Sequence, residues 1–582
     1  MSEHVSLILE EQTLPGSTRK SLKRSWKQLS RCQRNLIISA ILALFITCFM
    51  FLPQSKPEEE ELIEKLTKKH SLETPEFQNS QKNNEIPREP ESDGSNEPEE
   101  KIQIRPEEKA LPPVESQLRV SIEGKKFSGP GNLRQKAVVE AFQHSWKGYK
   151  EFAWGHDNFK PISKTFYDWF ALGLTIVDSL DTLYIMNLEK EFLEARDWID
   201  KYLLFNQNRN VNLFEVTIRV LGGLLSTFHL SGDEMFLRKA VDLGNRLLPC
   251  FNSPSGIPYS DVNLKQMIAQ SPTWLPDSST SEVTTLQLEF RDLSRACSNS
   301  SFENAASAVN TLIHNLEKHD GLVPIFINTK TGKFRNFATV TLGARGDSYY
   351  EYLVKQWIQT GKTPEDDLIE DYKTSIDGVL KNLVRKTSDH HYTFIGELIN
   401  GKDFKPKMDH LTCYLPGTLL LGHKNGMPES HLKLANELME TCLQTYFVQP
   451  TGLAPEISYF TEEGNSNMPD IYVKAADSHN LLRPEFIESL YYFYAITGNK
   501  TYQDWGWKIF ESFIQYTRVE NGFTSIGNVQ NPSDTRPRDM MESFWLGETL
   551  KYFYLLFSDD RKEIDLDKFV FNTEAHPLPI LN

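Results

Sequence analysis

The sequence predicts an all-α fold: a closed ring of helix pairs, an (α/α) barrel with a few short strands, behind one transmembrane helix and a disordered stem. Amphipathic helical patterns dominate the roughly 450 residues from about Leu133 to the end, for example Glu191–Leu203 and Asp504–Phe513. A weak repeat recurs along them. Ser231-Gly-Asp-Glu-Met-Phe236 leads to Ala240, Asn299-Ser-Ser-Phe302 to Ala306, and Gly498-Asn-Lys-Thr-Tyr502 to Gly506. In each, a turn opens a helix whose first aromatic is followed four residues later by a small residue. Pairs of about 60 residues would number about seven.

The elements before the barrel follow from charge and hydropathy. Residues 1–35 form a basic tail carrying Arg19, Lys20, Lys23, Arg24, Lys27, Arg31 and Arg34. Residues 36–52 are a 17-residue run without charge, enough to span a thin early-secretory membrane. Glu58–Glu61 follow it, so the basic side stays cytoplasmic and the rest is lumenal, a single-pass type II signal anchor. A cleaved signal peptide is the alternative, but no small-residue cleavage site follows the run. Residues 53–125 read as the stem: from Pro53 to Leu118 the chain is rich in Glu, Lys and Pro, with Phe77 its one aromatic. Such a segment cannot bury enough apolar surface to offset the entropy of ordering. The net charge of −16 comes partly from the stem, and no basic patch points to nucleic acid.

Residues 126–582 form the barrel domain, with no Pro/Ser/Gly-rich linker to divide it. Strand patterns are short, around Leu322–Ile327 and Gly522–Ile526. Four stretches set carboxylates in otherwise buried helix: Asn212–Arg219, Ala344–Leu353, Leu482–Leu490 and Met541–Leu550. One buried acid reads as a core salt bridge, since an unpaired carboxylate is costly to bury. Four, with Arg219, Arg345 and Arg483 beside three of them, point to an acid-lined cavity of the kind that hydrolyses sugars. Pro484 suits a first helical position, placing Glu485 in the first turn with Glu488 on the same face. Asp347 follows Gly346 at another helix start, and Glu215 opens a helix through Gly222-Gly223. Each alone reads as a helix cap; together they would converge on one end of a barrel with parallel inner helices.

Read together, these motifs resemble the class I α-1,2-mannosidases, glycoside hydrolase family 47. The matching blocks are Asn212–Gly223, Thr341–Trp357, Lys407–Gly417, His479–Ser489, Arg538–Lys551 and Phe571–Pro577, within a span from about Arg134 to Pro579. Gly343-Ala-Arg-Gly-Asp347 is similar to the endoplasmic-reticulum branch; Golgi relatives tend to carry leucine in place of Arg345, and alanine is expected in place of Gly346. The resemblance implies an (α/α)7 barrel that hydrolyses terminal α-1,2-mannose from high-mannose N-glycans with inversion, trimming nine mannoses to eight. That role belongs to glycoprotein quality control and disposal.

It further implies Glu485 as general base, and Glu215 or Asp347 as the acid. Thr573 would be the single direct protein ligand of Ca²⁺, an oxygen donor suited to a hard cation. Glu485, Glu488, Glu548 and Glu574 would hold the metal's waters. Arg219, Arg345, His410, Arg483 and Phe544 would line the sugar subsites. Cys413 and Cys442 would form the family's disulfide, which an oxidising lumen permits. Cys250 and Cys297 have no counterpart there and read as free thiols, an extra bridge being the alternative. Cys32 and Cys48 belong to the anchor region and are not disulfide candidates.

Asn299 and Asn499 begin glycosylation sequons at repeat turns. The implied setting is the endoplasmic-reticulum or early Golgi membrane, with a monomeric lumenal domain. A membrane-tethered lectin that delivers glycoproteins without cutting them is the second reading. It has no chemical need for both an acid and a base, and Glu215, Asp347 and Glu485 are all present.

Overall fold

The computed structural model describes residues 124–581, apart from 273–274 and 465–467. The predicted tail, anchor and stem up to residue 123 lie outside the described residues. At Lys125 the chain is already fixed to the domain, its N–H donating to the Leu230 carbonyl at 2.8 Å.

Among the described residues, and apart from the short helices Leu174–Asp178 and Thr280–Thr284, fourteen helices alternate between an outer and an inner layer. In chain order they are α1 (Leu133–Phe152), α2 (Leu180–Ile185), α3 (Glu189–Tyr202), α4 (Leu213–Ser231), α5 (Glu234–Leu247), α6 (Gln287–Ala296) and α7 (Ser301–His314). Then come α8 (Asp347–Gln359), α9 (Asp367–Asn382), α10 (Leu415–Lys424), α11 (Glu429–Phe447), α12 (Glu485–Thr497), α13 (Thr501–Thr517) and α14 (Leu550–Leu556). The even-numbered helices touch one another in sequence, and the turn before α14 returns to α2, closing a ring of seven. Each later outer helix lies on the inner helix just before it, and α1 lies on α14. The expected ring of helix pairs is therefore present in the described residues.

Local signals explain the pairs. Asn132, Asp233 and Asp366 cap α1, α5 and α9 by accepting from backbone N–H groups in the first turn. Gly232 and Gly498 end α4 and α12 in the left-handed conformation. The small residue of the repeat marks close helix contact: Ala240 and Ala306 are buried, and a Cβ on Gly506 would stand 2.4 Å from Leu556 Cδ2 on α14. Helix α4 is long and apolar enough to cross a membrane, yet it is mostly buried inside the barrel.

Short hairpins join the helices. The expected strands are shorter than their sequence patterns: of Leu322–Ile327 only the end falls in a strand, Phe326–Asn328, paired with Asp277–Ser279, and of Gly522–Ile526 only Gly522–Phe523, paired with Arg518–Val519. A last hairpin, Phe569–Phe571 with Pro577–Pro579, enters the ring and touches α4, α6 and α8. Its tip carries Thr573 and Glu574. Cys413 and Cys442 form a disulfide joining the turn before α10 to α11. Cys250 and Cys297 are free thiols, and Asn299 and Asn499 are exposed at their turns.

Candidate active site

Three inner helices open on the three predicted acids. Asn212 caps α4 by accepting from the Glu215 N–H at 3.0 Å. Helix α8 begins at Asp347 and α12 at Glu485. Pro484 occupies the cap of α12 rather than its first turn, one residue earlier than the sequence suggested; Glu485 and Glu488 keep their places.

Around Glu485 the donors are explicit. His410 Nδ1 lies 2.8 Å from Glu485 Oε2, and its Nε2 lies 2.7 Å from the buried Tyr446 hydroxyl. Since a carboxylate only accepts, Nδ1 carries the proton. Arg483 approaches the other Glu485 oxygen at 3.5 Å and is held by two-pronged hydrogen bonds to Glu456. The Arg483 guanidinium lies 6.0 Å from the Phe544 ring centre, and that of Arg219 lies 5.7 Å from the same ring. Arg219 donates to Glu215 at 2.9 Å and also contacts Glu574 and Ser543. One aromatic ring thus joins the Glu215 and Glu485 sides of the cavity.

Asp347 is treated differently. Its carboxylate accepts only from the Ser348 N–H, at 2.9 Å, among the described residues. Burial pushes its pKa up to about 7, and the negative charges of Glu351, Glu485 and Asp409 add to the rise. Glu215, by contrast, is tied to a guanidinium.

Deeper in the ring lies a surplus of carboxylates. Thr573 Oγ1 donates to Glu351 at 2.8 Å, and the fully buried Lys355 contacts Glu351 and Glu488, the latter at 3.2 Å. Burial raises Glu488 to about 7 despite Lys355. Burial also lifts Glu548 and Glu574 well above the usual carboxylate range, Arg219 opposing and neighbouring acids assisting. No group of three or more His, Cys, Asp or Glu side chains is placed to hold a metal among the described residues. Thr573 stands instead as a neutral hydroxyl bonded to the buried Glu351 and followed in the chain by the buried Glu574.

The glycosyl hydrolase family 47 model matches residues 141–580. This chain belongs to glycosyl hydrolase family 47. It is 47% identical to the endoplasmic reticulum mannosyl-oligosaccharide 1,2-alpha-mannosidase of Rattus norvegicus, over 97% of this chain and 94% of that protein. It is 57% identical to the Homo sapiens protein of the same name, over 77% of this chain and 64% of that protein. Among solved structures, the alpha-1,2-mannosidase from Trichoderma reesei superposes with a TM-score of 0.72 at 27% identity, covering 78% of this chain and all of that one.

Two features of this family 47 chain depend on packing. The two π-helical segments among the described residues carry predicted site residues, Val216–Leu221 holding Arg219 and Trp545–Thr549 holding Glu548. Arg345 stands at the rim of the site, half-exposed, with a left-handed φ of 76°. Its guanidinium lies 3.7 Å from Glu282 and 5.5 Å from the Phe326 ring centre. At Gly346 a Cβ would come within 2.3 Å of the Thr341 carbonyl oxygen, so glycine is the residue this backbone path accommodates.

The structure brings Glu215, Glu485, Thr573, Glu488, Glu574, Arg219, His410, Arg483 and Phe544 together through direct contacts, with Asp347 and Glu548 coupled to them by charge. Sequence reading missed several members. Glu351 and Lys355 follow Asp347 at four-residue steps on one face of α8, a spacing that could have disclosed them. Asp178 and Asp181 interrupt the apolar run Leu174–Met186 and could have been flagged as the other acids were. Both are fully buried and flank His576, which lies 3.2 Å and 2.8 Å from them respectively.

Proposed function

We propose that this chain is an inverting, calcium-dependent mannosyl-oligosaccharide 1,2-α-mannosidase that trims high-mannose N-glycans on glycoproteins from nine mannoses to eight. One observation supports the mechanism: two carboxyl groups in contrasting environments stand at the starts of two inner helices, close enough for their charges to couple. Asp347, protonated up to about neutral pH, is the acid that gives its proton to the glycosidic oxygen, directly or through water. Glu485, held by His410 and Arg483, is the base that takes a proton from the attacking water on the opposite face of the sugar. Glu215 is the weaker candidate for the acid because Arg219 engages its carboxylate. Arg219, Phe544 and Arg483 form the charged and aromatic wall against which the sugar packs.

The donor set fits a hard cation. Thr573 would bind Ca²⁺, with Glu485, Glu488, Glu548 and Glu574 fixing its waters. Buried acids there exceed the cations Lys355 and Arg219, a surplus that a divalent ion would relieve. When bound, the ion supplies positive charge that orients sugar hydroxyls. The basic tail, uncharged run and acidic stem support a type II anchor in the endoplasmic-reticulum or early Golgi membrane, with a monomeric catalytic domain from residue 126 in the lumen.

Incubating the full chain with a nine-mannose glycan, with and without chelator, tests this reading. Release of one mannose, lost on chelation, is expected. Glycan binding without release would overturn it.

A further inference from the structure

The hairpin that enters the ring is tied down on both sides of Thr573. Before it, the Asn572 amide donates to the Ile218 carbonyl on α4 at 2.9 Å and to Glu289 on α6 at 2.8 Å. The Asn572 side-chain oxygen accepts from the Glu574 and His576 N–H groups at 2.9 Å and 2.8 Å. The Asn572 N–H donates to the His576 carbonyl at 3.0 Å, and Ala575 takes a left-handed φ of 57°. Residues 572–576 therefore form one closed turn. After Thr573, Lys551 on α14 donates to the Ala575 carbonyl at 2.7 Å.

Behind this turn lies a charged cluster to which the mechanism above gives no task. His576 Nδ1 stands 2.8 Å from Asp181 in α2, and its Nε2 stands 3.2 Å from Asp178 in the short helix before α2. Carboxylates only accept, so both ring nitrogens donate and the ring is an imidazolium. Lys551 stands 2.8 Å from the other Asp181 oxygen. Ser226 donates to Asp181 at 2.8 Å, while Ser543 and Arg219 reach Asp178. Asp178, Asp181, Lys551 and His576 are all fully buried, so removing one cation leaves an acid short of its counter-charge. Helix α4 carries glycine where the turn rests on it. A Cβ on Gly222 would stand 2.6 Å from Asn572 Nδ2 and 3.0 Å from His576 Cδ2, and one on Gly223 would stand 2.8 Å from the Val177 carbonyl oxygen.

We infer that His576 is a positioning residue for the calcium assigned to Thr573: clamped between Asp178 and Asp181, it fixes the depth at which the turn presents Thr573 and Glu574 inside the ring. The inference rests on the calcium reading above. A hairpin held only by its own strand pair could tilt or slide against the helices. Two charge-assisted hydrogen bonds to one planar ring remove that freedom, because they are directional and have no water to compete with them. Depth matters to a cation whose oxygen ligands stand within a narrow range, about 2.3–2.6 Å. The Gly222-Gly223 pair acquires a purpose here, since it lets the turn rest directly on α4.

Calorimetric titration of calcium into the chelator-stripped full chain, in detergent, tests this at a temperature where circular dichroism shows each variant folded. His576→Gln removes the ring's charge and its tie to Asp181 while keeping a donor towards Asp178. It should raise the calcium Kd about tenfold, the lower end of what outer partners of a metal site contribute. Gly222→Ala alters no charge and pushes on Asn572, so it should raise the Kd in the same direction, and it decides the matter if His576→Gln does not fold. In both variants, mannose release lost at limiting calcium should return at saturating calcium, a rescue that a damaged fold would not allow. Ala306→Gly, at a buried contact on outer helix α7, should lower the melting temperature and leave the calcium Kd unchanged. If the two hairpin variants melt lower yet bind calcium with the wild-type Kd, the inference is overturned and His576 serves stability alone. If the wild-type chain itself binds no calcium, the calcium reading falls and this inference falls with it.

Discussion

His410 Nδ1 donates to Glu485 Oε2 across 2.8 Å, and the Tyr446 hydroxyl contacts the other ring nitrogen at 2.7 Å. Glu485, the proposed base, is thereby aimed by a ring held at both nitrogens. Glu485→Gln keeps the side chain's shape but cannot accept a proton. Its kcat should fall by about 10²–10⁴-fold, the scale of general-base catalysis, with glycan affinity largely kept. Single-turnover kinetics with a separate binding titration checks this; wild-type turnover would remove Glu485 from the role.

The pKa of Asp347 near 7 sets a pH dependence with a definite sign. As the acid, it is competent while protonated, so kcat/KM should decline as pH rises through about 7. Stability follows the same direction. The unfolded carboxyl titrates near 4, so the folded state binds the extra proton between about 4 and 7, and stability falls as pH rises across that window. Asp347→Asn should remove activity and flatten this part of the stability profile, both measurable by rate and melting scans against pH.

Thr573 and the acids around it predict a metal-linked stability. An ion bound only by the folded state raises stability by RT ln(1 + [L]/Kd), about 2.7 kcal/mol at one hundred times Kd. Chelation should lower the melting temperature, and Thr573→Ala should erase most of the difference between calcium-loaded and chelated protein. Identical melting curves with and without chelator would dismiss the ion.

How much of this was legible depended on whether a signal was local. Glu215, Asp347 and Glu485 stood out because a carboxylate in an apolar helical run violates burial chemistry, and because Gly346 and Pro484 marked two of the helix starts. Glu351 and Lys355 satisfy one another at an i, i+4 step, so they looked like an ordinary helix pair. The π-segments at Arg219 and Glu548 left no mark in the sequence, since an extra residue per turn is imposed by packing. Thr573 was visible only by family resemblance. Its importance comes from the hairpin that enters the ring, and no local pattern encodes that insertion.

Gly346 is a steric requirement of this chain. A Cβ there meets a backbone carbonyl at 2.3 Å, a neighbour that cannot rotate away. Gly346→Ala should cost about 1–3 kcal/mol, as overpacking does. It should also lower kcat by shifting Asp347 at the next position. Urea titration with parallel kinetics tests both; full stability with wild-type kcat would show that the loop adjusts freely.

Arg345 separates two roles that the structure sets side by side. Its guanidinium is half-exposed at the rim, 3.7 Å from Glu282, which in turn lies 3.4 Å from the Asn212 amide at the start of α4. A fork of five donors can hold several sugar hydroxyls at once, which leucine cannot. If Arg345 selects the branch that enters, Arg345→Leu should slow the first cleavage and spread the products beyond a single eight-mannose isomer. Arg345→Lys should keep the charge yet recover little selectivity, because the fork is lost. If Arg345 serves only the Glu282 pair, the leucine variant should lose stability and keep the wild-type product pattern. Either substitution also carries strain at a left-handed position, so the two variants share that cost and differ only in chemistry. Chromatography of released glycans from both variants, beside their melting curves, therefore isolates the guanidinium's contribution to branch choice.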